Sequence, residues 1–285
     1  MSVAAALAGE SWSASVPLTL GANMLHISAC QNAIAKDVFV TRAEQVVAGS
    51  PQKLFLLWTP EANQAVKQIA RETLTIKLSK KELETFAERV RDGVLAILAG
   101  RFPIGTIELV DSSGPDVHTV RMIGAKGGGV FGQTPVYDCG NLSHEGLSEV
   151  WVGSYEESMR NLPLWTPMLM SDSVGDRTED ISQALARGAA HEIGHGLGMV
   201  GGAPSATCGW MNGCDDLHDC ESFQATYGSL VNRFEKGGYI MDPGDTTLRP
   251  WRIALPLGRA HSRRPSAFSP FDQAYLALLA GGAVP

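Results

Sequence analysis

His191-Glu192-Ile193-Gly194-His195-Gly196-Leu197-Gly198 is the stretch on which the fold of this chain turns. Wound as a helix, it sets positions i and i+4 about 40° apart, so both imidazoles leave one face towards a common point. Glu192 lies about 100° further round, close enough to handle a water at that point without joining the histidines as a ligand. Imidazole pairs of this kind are zinc ligands, and the adjacent carboxylate is the matching general base. Glycines at 194, 196 and 198 each cost about 1 kcal/mol in a helix relative to alanine. Gly198 reads as the helix stop, because glycine takes positive φ freely.

Working outward, Ile181, Leu185, Ala189, Ile193 and Leu197 recur on an arc opposite His191 and His195. One side of the helix therefore packs into the protein while the other faces a cleft. Asp176 with Glu179 forms a plausible cap pair at its start. Further upstream, Ser79 and Glu82 match a capping box. Leu83, Phe86, Val90, Val94, Ile97 and Leu98 follow at helical spacing, and Gly100 ends the run. Between the two helices, strands are expected at 106–110, 117–123, 129–134 and 149–155, separated by Ser112-Ser113-Gly114-Pro115 and Gly127-Gly128-Gly129. Ser269 to Leu279 reads as a capped amphipathic helix. Residues 1–60 are rich in Ala, Ser and Val, with short apolar runs such as Lys53 to Trp58. Pro60 marks a boundary between an N-terminal extension, small subdomain or propeptide and a catalytic domain over 61–285.

The 285 residues are 44% hydrophobic and 19% charged, with a net charge of −7. That balance fits an ordinary globular chain and argues against nucleic acid or an anionic membrane surface as the main partner. No apolar run approaches the roughly 18 residues of a membrane span. The N-terminus lacks Lys or Arg before its small apolar residues, so it does not read as a secretory signal. Five cysteines are present, and Cys208, Cys214 and Cys220 follow the histidine motif closely. Disulfide stapling, free thiols and a second Cys-rich zinc site are all open there. Asn141-Leu142-Ser143 fits a glycosylation triplet, and His26, His118 and His261 lack paired spacing and read as structural.

Two histidines do not hold catalytic zinc by themselves; three protein ligands and a water are the rule. Over residues 75–285 the order of elements and the local sequence resemble the metzincin clan of zinc peptidases. That clan has a backing helix, a mixed sheet, and a helix bearing H-E-x-x-H-x-x-G, matched here by His191 to Gly198. A Met-turn follows, matched by Tyr239-Ile240-Met241-Asp242-Pro243, and then a last helix, matched by 269–279. The resemblance implies an α+β, mixed α/β fold with a twisted mixed sheet, and a zinc-dependent endopeptidase acting on proteins or peptides. It implies Zn2+ held by His191 and His195, Glu192 as base, and Met241 as an apolar floor beneath the ligands. The clan's usual third ligand falls on Gly201, which has no side chain. Leishmanolysin-like members carry an insertion at that point, and His218 is then the delayed ligand, with Asp215, Asp216 and Asp219 as carboxylate alternatives. Loops closed among Cys208, Cys214 and Cys220, with Cys139 as a further partner, would hold such an insertion still. Tyr239 and Tyr227 are the candidates for oxyanion assistance. The substrate would bind as an extended strand beside 129–134, and the family and the cysteine cluster favour secretion. The alternative is a metzincin-fold binding or structural protein whose metal site has decayed, as signalled by Gly201.

Overall fold

The computed structural model describes residues 6–8, 11–17, 21–29, 34–42, 50–73, 77–127, 130–136, 138, 141–160, 174–199, 240–241, 267–268 and 270–281. The N-terminal part forms two antiparallel pairs. Strand β1 (Ala6–Ala8) pairs with β2 (Ser11–Ser13), and β3 (Gly21–Ala29) with β4 (Ile34–Arg42).

The architectural centre is a five-stranded sheet built from β5 (Gln52–Trp58), β6 (Ile107–Val110), β7 (Val117–Ile123), β8 (Gly132–Gln133) and β9 (Gly146–Trp151). Its order is β6-β5-β7-β9-β8; every pairing is parallel except the last, where β8 runs antiparallel to β9. Parallel neighbours require crossovers; β7 and β9 are joined through residues 124–145, which carry β8, and two helices lie between β5 and β6. These are α1 (Pro60–Gln68), which runs on into a π-helical turn at 69–73, and α2 (Lys80–Ala99). Helices α3 (Val152–Arg160), α4 (Val174–Gly196) and α5 (Pro270–Leu279) complete the mixed α/β set. Among the described residues no helix is long and apolar enough to cross a membrane.

Alternation on β7 shows how the sheet faces are divided. His118, Val120 and Met122 are buried while their neighbours are half-exposed, the period of two that one covered face demands. Ser148 and Val150 continue that face on β9, and Leu54 on β5. The opposite face carries a half-exposed Arg121–Glu149 ion pair at 2.9 Å. Against the covered face lie the fully buried Ile181, Leu185, Ala189 and Ile193 of α4, together with Leu83, Phe86, Val90, Val94 and Leu98 of α2. Each large side chain so buried contributes about 1.5–3 kcal/mol of transfer free energy.

Local signals are kept where they were expected. The Ser79 hydroxyl accepts from the Glu82 amide, and the Glu82 carboxylate accepts in return from the Ser79 amide at 2.8 Å. Gly100 closes α2. Helix α4 begins at Val174, two residues ahead of the expected cap at Asp176.

The structure adds detail at two places. Pro60 opens α1, with the Thr59 hydroxyl accepting from the Ala62 amide at 3.3 Å, a position that suits proline's fixed φ. The Lys53–Trp58 run lies inside the sheet, hydrogen-bonded to both β6 and β7, so the sheet draws on residues ahead of 60. The strand expected at 149–155 spans 146–151 instead, and α3 begins at Val152. There the Ser154 hydroxyl accepts from the Gly127 amide at 2.9 Å, a contact with a distant loop that strand periodicity cannot reveal.

Helices α2 and α4 cross where Gly93 faces Ser182. A Cβ built on Gly93 would fall 2.5 Å from the Ser182 Oγ and 2.9 Å from its Cβ. That hydroxyl is held in place, donating to the Thr178 carbonyl at 2.8 Å or the Val90 carbonyl at 3.1 Å. Alanine in an open helix would gain about 1 kcal/mol over glycine, whereas overpacking costs about 1–3 kcal/mol. The clash wins: Gly93→Ala is expected to lower stability by about 1–2 kcal/mol, read as a lower urea midpoint. Ser79→Ala, losing the cap alone, is expected to cost about 1 kcal/mol. A Gly93→Ala protein more stable than wild type would show that the helices can part at no cost.

Candidate functional site

The end of α4 organises the site. Gly198 has φ +89°, the left-handed conformation that glycine adopts without steric cost. Its amide donates to the His195 carbonyl and the Met199 amide to the Gly194 carbonyl, both at 2.8 Å. Those two bonds are the 5→2 and 6→1 links of a Schellman turn. The turn folds the Met199 carbonyl back to 3.0 Å from Nδ1 of His195. Nδ1 of His191 lies 2.6 Å from the Ile240 carbonyl. Carbonyls only accept, so each Nδ1 is the protonated nitrogen of its ring.

The two Nε2 atoms therefore carry lone pairs in the neutral rings, and they point at one another at 3.1 Å. The rings stand at 90° with centroids 4.6 Å apart. Two lone pairs at that range repel unless a cation lies between them. Tetrahedral zinc holds its nitrogen ligands about 3.4 Å apart, close to the separation here. Backbone carbonyls on the far nitrogens are also the supporting contacts that fix the tautomer of metal-binding histidines. Thus the donor set fits a divalent ion such as Zn2+ at the paired Nε2 atoms.

Met241 is fully buried. A Cβ on Gly194 would collide with the Met241 Sδ, so the glycine between the histidines leaves room for the thioether. The Ile240 amide donates to the Ala267 carbonyl at 2.9 Å. Tyr275 of α5 donates its hydroxyl to the Leu197 carbonyl at 2.6 Å. The motif helix, the 240–241 turn and the last helix are thereby locked together at one end of α4.

Glu192 is 7% exposed. Burial pushes its carboxyl up to about 7, against a smaller downward pull from the Thr134 hydroxyl. Thr134 Oγ1 lies 2.9 Å from Glu192 Oε2, 2.9 Å from the Glu192 carbonyl and 2.8 Å from Ser148 Oγ. Ser148 Oγ in turn meets the Glu192 carbonyl at 3.1 Å and Nε2 of His118 at 2.8 Å. On β8, Gly132 presses on the same carboxylate: a Cβ there would fall 2.5 Å from Oε1.

His118, expected to be structural, packs where Gly146 and Gly196 lack side chains. Burial lowers its pKa to about 4, opposed by the charge of Asp138. The Asp138 carboxylate accepts from the amides of Leu142, Ser143 and His144 and orders that loop. Asn141 in the same loop is 2% exposed, so the glycosylation triplet does not offer its amide to solvent.

Sequence reasoning singled out His191, Glu192, His195 and Met241; the fold brings the two imidazoles together and seats Met241 against Gly194, while Thr134, Ser148 and His118, which form a hydrogen-bonded chain to Glu192, were not singled out as functional. The available signal was a polar residue at an inward position of an alternating strand, as at His118 and Ser148. The third-ligand candidates His218, Asp215, Asp216 and Asp219 lie outside the described residues, as do Gly201, Tyr227, Tyr239, Cys139, Cys208, Cys214 and Cys220. Among the described residues no group of three His, Cys, Asp or Glu side chains converges on one point.

No protein-family model, curated protein or solved structure matches the chain. The chemistry is then argued from the atoms, and His118 gives a measurable consequence. Its folded pKa of about 4 lies below the ordinary 6.5, so the unfolded chain binds the extra proton more readily. The stability that neutral His118 contributes is present above pH 6.5 and is lost as the pH falls towards 4. His118→Asn should remove that component. Urea midpoints of wild type and variant, followed from pH 7 to pH 4, are expected to differ in slope within this window; parallel curves would contradict the assignment.

Proposed function

We propose that the chain is a zinc-dependent endopeptidase of metzincin type. The single observation that carries this is the pair of Nε2 atoms facing each other at 3.1 Å, with both Nδ1 atoms committed to backbone carbonyls. The buried carboxylate of Glu192 on the same helix and the buried Met241 packed against Gly194 support it. So does the antiparallel edge strand β8 passing over Glu192.

His191 and His195 would hold the ion, with His218 as the third ligand and Asp215, Asp216 or Asp219 in its place should the carboxylate arrangement apply. Bound there, zinc supplies Lewis acidity, polarising a carbonyl and acidifying water. Glu192 takes the proton of the attacking water and returns it to the leaving nitrogen as the peptide bond breaks. Its buried setting matches that task, because a carboxyl poised near 7 both accepts and releases a proton at neutral pH. The substrate pairs through its main chain with the outer edge of β8, which suits an extended peptide and reads no particular side chain. Met241 and the Schellman turn act on the ligands, by keeping the two rings in place.

Metal analysis of purified, zinc-supplied protein is expected to return one equivalent, lost in His191→Ala and in His195→Ala. Casein cleavage should fall about 10²- to 10⁴-fold in Glu192→Ala while zinc is retained. His218→Ala should lower zinc occupancy if that side chain is the third ligand. Undiminished cleavage by Glu192→Ala would refute the mechanism, and protein that takes up no zinc would favour a binding or structural role for the same fold.

A further inference from the structure

We propose that Thr134, standing on Ser148 and His118, is a positioning residue that fixes the carboxylate of Glu192. The inference deepens the peptidase reading and rests on it only for the catalytic consequence. Its foundation is the buried hydroxyl pair between β7, β9 and α4. Thr134 and Ser148 are 6% and 0% exposed, His118 is 3% exposed, and no part of this cluster ligates the paired Nε2 atoms.

Proton accounting gives it a direction. Each hydroxyl carries one proton and accepts up to two bonds, and neutral histidine donates from one nitrogen. With the chain running from His118 Nε2–H to Ser148, from Ser148 O–H to Thr134, and from Thr134 O–H to Glu192 Oε2, each of these three links holds one proton, and the Glu192 carbonyl, 2.9 Å from Thr134 Oγ1 and 3.1 Å from Ser148 Oγ, competes for the two hydroxyl protons. The chain then ends on the ionised carboxylate, where a donated bond is worth most. The other oxygen, Oε1, is confined by the close approach of Gly132. Both restraints come from one segment of chain, β8 and the residue just beyond it. The strand that pairs with the substrate is therefore the strand that aims the base. A carboxylate pinned at Oε2 cannot swing between rotamers, and Oε1 keeps a fixed relation to a peptide laid along β8. That is the sort of orientation that lowers a barrier by holding reacting groups in place.

Thr134→Val keeps the shape and removes the hydroxyl, while Thr134→Ser keeps the hydroxyl. With the full chain and zinc supplied, Thr134→Val is expected to lower kcat about 10- to 100-fold, with KM and zinc content unchanged. Thr134→Ser is expected to recover most of the loss. A second readout needs no activity. In protein carrying 13C at the glutamate Cδ, the Glu192 resonance is identified by its absence in Glu192→Gln. At one fixed pH it should move in Thr134→Val and return in Thr134→Ser. If Thr134→Val fails to fold, Ser148→Ala withdraws the support of Thr134 and should move the same resonance. An unmoved resonance in the folded variant overturns the proposal, whatever the activity does. If wild type binds zinc but cleaves nothing, the peptidase reading falls while the resonance still decides the role of Thr134.

Discussion

Helix α4 is buried along most of its length yet carries two imidazoles and a carboxylate near its C-terminal end, and this conflict shapes the whole site. A buried polar group without a partner costs about 1–3 kcal/mol, and the two Nδ1 atoms and Oε2 of Glu192 are each met by a dedicated contact. The Met199 and Ile240 carbonyls take the two Nδ1 protons. Thr134 takes Oε2 of Glu192. Satisfying these atoms involves the sharp turn at Gly198, the approach of the 240–241 segment and the place of β8. The apolar arc from Ile181 to Leu197 then anchors the helix to the sheet and to α2.

Burial acts with opposite sign on Glu192 and His118. The carboxyl of Glu192 is pushed up and the imidazole of His118 is pushed down. Both shifts have one cause, since removal from water penalises the charged form of either group. Neutral His118 is consequently free to donate into the hydroxyl chain rather than to compete with Glu192 for a proton. Lys126 meets the buried Glu156 at 2.7 Å, and Arg160 meets the same carboxylate and Glu72, on the α1–α3 side of the molecule.

Sheet topology explains why a two-residue strand matters. β8 is the sole antiparallel member of the sheet among the described residues and forms its edge. A short edge strand offers main-chain hydrogen bonds to an incoming peptide while limiting unwanted pairing with other chains. Gly132 within it gives the backbone clearance over Glu192, and Thr134 just beyond turns its hydroxyl inward. Geometry at the edge and geometry at the base are thus set by the same few residues.

Much of this was legible in the chain as a string. Histidines four apart share a face because the helix repeats every 3.6 residues. Ser79 and Glu82 cap because their reach is local, and Gly198 turns because it lacks a Cβ. Such features need only neighbours a few residues away, and all of them are in place. What only tertiary structure decided is which distant groups meet. The period of two in β7 puts His118 on its covered face, but no local pattern says that Glu192 is reached from it through Ser148 and Thr134. The Lys53–Trp58 run showed no sign that its partners on either side would be β6 and β7, since parallel strands are joined through crossovers and their register is written in no local pattern. The protonated nitrogen on each histidine was equally out of reach, because it depends on carbonyls four and forty-nine residues away. Short-range sterics and periodicity therefore determined the elements and the motif, while long-range packing of buried polar atoms determined the site.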